Sequence, residues 1–161
     1  TEPERLSNLS IELYTKNLIF DFATYYYHNH KAIGTVPEFE FNDEDYLSFK
    51  NFIADKDFNY TTQSEEGLKD LIEVAKEEKY YDVASDELLA LEKKLAPNKE
   101  KDLEVFRKEI IRLVSEEIIS RYYFQKGRMQ YILIDDPAVQ KAIEVINDKE
   151  KYNAILNPAK I

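Results

Sequence analysis

The stretch SEEIISRYYFQKGRMQY, residues 115–131, decides how this chain is to be folded. Up to Glu117 it continues a helical pattern, but from Ile118 to Ile134 no acid appears, although the whole chain carries a net charge of −10. The island holds Arg121, Lys126 and Arg128, the rings of Tyr122, Tyr123, Phe124 and Tyr131, and Gly127, one of three glycines in the chain. On one uninterrupted helix, Phe124, Gly127, Arg128 and Tyr131 share a face and Arg121 lies close by. Glycine at that place lets another helix or backbone approach closely.

Three readings compete for this island: a nucleic-acid groove, a crowded helix core and a partner-docking face. Three bases do not offset the surrounding −10, so the first is weakest. Bases paired with acids elsewhere in the chain are the plain structural alternative. A docking face on Arg121, Phe124, Arg128 and Tyr131 is the sharper one, because aromatic residues and arginine are enriched among interface anchors.

Upstream, Leu103, Phe106, Ile110, Leu113 and Val114 recur at helical spacing, which predicts one long helix from about Asn98 to Leu133. Glu117 and Arg121 have the spacing and order of a helical ion pair. Downstream, DDP at 135–137 reads as a cap followed by proline in the first turn, and Val139, Ile143 and Ile146 form the next inward stripe. A short helix to Leu156 closes the chain.

Towards the N-terminus, Ile11, Tyr14, Leu18, Phe22 and Tyr25 predict a helix from about Ser7 to His30, with Ile19 and Phe20 widening its apolar face. EFEFN at 38–42 reads as a short extended piece. Asn42 or Asp43 starts a helix whose apolar face is Tyr46, Phe49, Phe52 and Ile53. Thr62 with Glu65 fits a capping box opening a helix with Leu68, Leu71, Ile72 and Ala75 inward. A break near Tyr80–Asp82 precedes Val83, Leu88, Leu91 and Leu95, and Pro97 ends that run. The expectation is an all-α single domain, 1–161, of about six or seven helices in an irregular bundle.

Composition narrows the function classes. At 43% hydrophobic and 13% aromatic the 161-residue chain can bury a core, which argues against general disorder. With 32 acids against 22 bases its field repels nucleic acid and anionic membranes, so the default partner is another protein or none at all. No apolar run reaches the roughly 20 residues that span a bilayer. Cysteine is absent, which removes thiolate chemistry and most structural zinc sites. The opening TEPERLSN lacks a Met and a charged-then-apolar leader, as in a processed protein or an excised domain.

Chemistry-bearing candidates are few. In DKDFNYTTQSEE, Asp55, Asp57, Asn59 and Glu66 fall at the first, third, fifth and twelfth positions of a calcium loop. The sixth position, where such a loop wants glycine, is Tyr60, which favours a structural loop with a helix cap. His28 and His30, the only histidines, are two residues apart and point to different helix faces. None of the seven serines sits in a glycine-rich elbow, and no phosphate-binding loop exists. No catalytic residue, metal or cofactor is expected.

The segments NLIFDFATYYYHNH (17–30), FKNFIADKDFNYTTQSE, KEEKYYD and EEIISRYYFQKGRMQYILIDDPAVQKAIEVINDKEKYNAIL run in the same order as, and resemble, the C-terminal helical region of carboxy-terminal processing (tail-specific) serine proteases of the Bacteroidetes type. The resemblance covers nearly the whole chain. It implies a cell-envelope or periplasmic protease whose PDZ domain captures substrate C-termini and whose catalytic domain uses a serine nucleophile and a lysine base. The lysine must be neutral to take the serine proton, which needs a desolvated pocket. No counterpart of those motifs lies in this chain, so no catalytic residue carries over and the fragment is expected to be inactive. The implied role is a non-catalytic part that packs on the protease core, assembles a homo-oligomer or limits substrate access. Its partners would be the PDZ and catalytic domains, with the protein substrate involved indirectly. A free-standing acidic helical interaction module is the alternative, and a calcium-binding helical module a further one.

Overall fold

A computed structural model describes residues 5–156, and among these it is helical with no strand. The helices are α1 (Asn8–Thr15), α2 (Leu18–Asn29), α3 (Asp43–Ala54), α4 (Gln63–Glu77), α5 (Tyr81–Leu95), α6 (Lys99–Val105), α7 (Arg107–Ile134), α8 (Pro137–Asn147) and α9 (Lys149–Leu156), with a 3-10 turn at Val36–Glu38. Several begin where side-chain chemistry demands it. Asn42 Oδ1 accepts from the amides of Glu44 and Asp45, and Asp45 returns a carboxylate to the Asn42 amide. Asp136 accepts from the Ala138 and Val139 amides, with Pro137 at the first helical position. At α4 only half of the expected box forms. The Thr62 hydroxyl accepts from the Glu65 amide at 3.1 Å, while the Glu65 carboxylate turns to Lys69 at 2.8 Å.

The core lies among α1, α2, α3, α6 and the first half of α7. Phe22 is its centre, fully buried, with Phe41, Phe49 and Phe52 edge-on around it at centroid distances of 6.1, 5.1 and 5.5 Å. Leu9, Leu13, Ile19, Ile110, Val114 and Ile118 complete the packing between α1, α2 and α7. Ser7 ties α1 to α7, its amide and its hydroxyl both donating to Glu109 Oε1 at 2.9 Å. The EFEFN segment is a 3-10 turn up to Glu38 followed by extended backbone at Phe39, with Phe41 buried.

Among the described residues there are nine α-helices where six or seven were expected, because two long runs are broken. The N-terminal run stops at Lys16–Asn17, where Asn17 adopts a left-handed φ of 58°, a conformation asparagine tolerates better than most residues. The break rotates one half against the other, so Leu9 and Leu13 face inward while Ile11 and Tyr14 stand about half exposed. Further along, Tyr26 is buried while Tyr25 and Tyr27 remain half exposed. The second run breaks at Phe106 (φ −96°, ψ 15°), separating α6 from α7.

Two helical hairpins stand off this core. In α4–α5, joined at Lys79 with a φ of 64°, only Leu68 and Leu88 are buried, so the expected inward residues Leu71 and Val83 face solvent. In α8–α9, none of the residues of α8 is buried, and Ile143 and Ile146, also expected inward, lie exposed.

Candidate functional site

The basic–aromatic island does not form one straight helix. Phe124 has φ 55° and ψ −159°, a region that only glycine enters freely and that costs about 1–3 kcal/mol for another residue. Helix runs on both sides of it, and the two halves fold against each other. Arg128 Nη2 lies 3.5 Å from Glu116 Oε2, although twelve residues of straight helix would separate them by about 18 Å along the axis. Gly127 is buried at the fold, and a Cβ there would lie 3.3 Å from Ile119 Cγ2 and collide with Tyr123 Cβ. The close approach that glycine promised is thus to the chain's own preceding turns.

The four residues singled out from the sequence take different places. Arg121 turns onto α2. Its guanidinium lies 2.6 Å from Glu117 Oε1, donates to the Phe20 carbonyl at 3.3 Å and to Thr24 Oγ1 at 3.4 Å, and sits 4.1 Å over the Phe20 ring. Phe124 is 76% exposed at the bend. Arg128 is partly buried against Glu116, and its Nε is buried without a hydrogen-bond partner. Tyr131 is half-buried. The face shared by Phe124, Gly127, Arg128 and Tyr131 on a continuous helix is therefore divided, because the backbone at Phe124 interrupts the 3.6-residue period.

Neighbouring tyrosines lock the island to the N-terminal half. Tyr122 donates to the His30 carbonyl at 2.6 Å and packs on Tyr27 at 4.8 Å, while Tyr123 donates to the Gly34 carbonyl at 2.9 Å. Burial, with Tyr27 adding to it, holds the Tyr122 phenol above its ordinary value. His30 stacks on Tyr26 at 3.8 Å and places Nδ1 2.9 Å from the carbonyl of that same residue, at the end of α2.

The 55–66 loop is held by packing. Asp55 caps the end of α3, Phe58 is buried beneath the Lys99 ammonium, and Tyr60 donates to Asp102 Oδ2 at 2.6 Å. That hydrogen bond and burial hold the Tyr60 phenol well above its usual range, burial being the larger cause. Tyr60 is not left-handed, so the turn a calcium loop makes at its sixth position is not made here. Among the described residues no three His, Asp or Glu side chains gather as metal ligands. No helix there is long and apolar enough to cross a membrane.

What the sequence did not reveal is the apolar surface of α8–α9. Ala138, Ala142, Val145 and Ile146 of α8 line an open groove with Tyr152 and Leu156 of α9. The α8 stripe was legible, but it was assigned to the core. The hairpin is clamped at its polar edge, where Glu144 accepts from Lys141 at 2.7 Å and Lys151 at 2.9 Å.

The fold defines a class first: an all-helical bundle with two outstanding helical hairpins. Residues 9–146 match the family described as "Probable PDZ-protease, C-terminal helical domain", and the chain belongs to that family. No curated protein and no solved structure matches the chain.

Proposed function

We propose that this chain is a non-catalytic helical domain of a cell-envelope PDZ-protease and docks on the PDZ and catalytic domains through the apolar face of α8–α9. Bond cleavage belongs to those other domains in this reading, and the helical domain governs their assembly or the access of protein substrates. One observation carries the docking face. α8 is amphipathic yet buries no residue, and Ile143, Ile146, Tyr152 and Leu156 of the hairpin are all exposed. Contiguous exposed apolar surface of this kind marks interaction sites, because covering it is favourable by about 25 cal/mol per Å². The family supplies the occupant, since a C-terminal helical domain of a PDZ-protease shares its chain with the protease core.

Hydrogen exchange of α8–α9, compared between the whole protease and the isolated chain, tests the reading. Protection of Ile143 and Ile146 amides in the whole protease, lost in an Ile146→Asp variant whose isolated domain unfolds normally, is the expected result. Equal exchange in both contexts contradicts the docking face and favours a free-standing interaction module.

A further inference from the structure

We propose that the chain exchanges residues 125–156 with a second copy of itself, by straightening α7 at Phe124. The hinge is a single residue held in a conformation that suits glycine and not phenylalanine, so the closed form carries strain that an open form releases. The flanking sequence accepts a continuous helix, since from Ser115 to Ile134 the only glycine or proline is Gly127. A straight α7 carries Arg128 about 18 Å along the axis from its own Glu116 and frees the surface that Gly127 covered over Ile119.

A second copy can restore what opening removes. Its residues 125–156 fit the vacated surface with the same contacts, Gly127 on Ile119 and Arg128 against Glu116, now between chains. The exchange is reciprocal, so it closes on a two-fold dimer rather than a filament. A short strained hinge between a stable core and a separable arm is the arrangement that favours such exchange. The monomer is the closed form described above, and concentration sets the balance. The exchange leaves the α8–α9 groove open, so it stands independently of docking on the protease.

Sedimentation of the 161-residue chain over a concentration series tests the proposal, together with two kinds of variant. Wild-type chain is expected to show a dimer fraction that rises with concentration. Phe124→Gly relieves the closed hinge and weakens the straight helix, so it lowers the dimer association constant by roughly a hundredfold, about tenfold for each hinge. Glu116→Arg and Arg128→Glu each set like charges together on their own. Mixed in equal amounts they form a heterodimer in preference to either homodimer, because both exchanged interfaces then unite opposite charges. Glu116 is buried and its variant is checked for helicity by circular dichroism, whereas Phe124 is exposed and its variant decides the matter alone. A monomer at every concentration, or a dimer that Phe124→Gly leaves unchanged, overturns the proposal.

Discussion

Arg128 and Glu116 approach within 3.5 Å across twelve residues of the same helical segment, which is attainable only because α7 folds back at Phe124. Glu116 is nearly buried, so Arg128 neutralises a carboxylate that has little access to water. Arg128→Ala should destabilise the domain by about 1–2 kcal/mol, below the full cost of breaking a buried pair because the contact is long and partly exposed. Adding Glu116→Gln should recover part of that loss. Urea denaturation of the two single variants and the double variant measures the coupling, and strict additivity would show that the two side chains do not interact.

Arg121 is the second base of the island, and its guanidinium is held by contacts within the chain. Arg121→Met should cost about 1–2 kcal/mol through the lost Glu117 pair, the Phe20 carbonyl contact and the stacking on the Phe20 ring. Arg121→Lys should recover only part, since an ammonium cannot reproduce the planar fork. Thermal unfolding of the isolated chain ranks the three proteins. Equal melting temperatures would place Arg121 among solvated surface charges.

Tyr46 supplies a pH dependence at the alkaline end. Its hydroxyl donates to the carbonyl of Leu103, in the last turns of α6, where a helix end leaves carbonyls without an intrahelical partner. Burial pushes its pKa up to about 12, with Glu104 adding to the effect. A folded-state value above the unfolded value of about 10 means stability that is intact below pH 10 and lost as pH rises towards 12. Tyr46→Phe should lose about 1 kcal/mol at neutral pH and flatten part of the alkaline decline. Parallel declines in wild type and variant would assign the alkaline transition to other groups, Tyr26 among them, whose pKa burial also raises to about 12.

Glu144 does the reverse in acid. Hydrogen bonds from Lys141 and then Lys151 hold its carboxyl down to about 2. A depressed folded value means a contribution present above the ordinary 4.5 and lost as pH falls towards 2. Amide signals of α9 should therefore loosen from α8 in that window before the core responds. Glu144→Gln should remove the acid step; an unchanged step would exclude this clamp as its cause.

Much of the fold was legible where a side chain acts on its own backbone. Asn42, Thr62 and Asp136–Pro137 announce helix starts because the capping bond lies within three residues. The α3 face of Tyr46, Phe49 and Ile53 was equally plain from its period. The breaks at Phe106 and Phe124 were not, because neither residue type breaks a helix by itself. A missed break also merges two helix phases into one, so a single stripe drawn through Leu18 and Phe22 and back across Asn17 placed Ile11 and Tyr14 inward. For the island, residue types spoke of arginine and aromatic anchors, but their direction depended on one backbone torsion at Phe124. In α4–α5 and α8–α9 the apolar stripes were read correctly as stripes, yet a stripe alone does not say whether its cover lies within the same chain.

The fold-back itself is tested most directly by Gly127→Ala, measured by urea denaturation at concentrations where the chain is monomeric. A Cβ at 127 collides with Tyr123 in the folded-back form, so the substitution should destabilise the domain by about 1–3 kcal/mol. In an uninterrupted α7 the same change would replace glycine by the best helix former and stabilise by up to about 1 kcal/mol. A loss of stability upholds the bend at Phe124 and the Arg128–Glu116 closure, and a gain contradicts both.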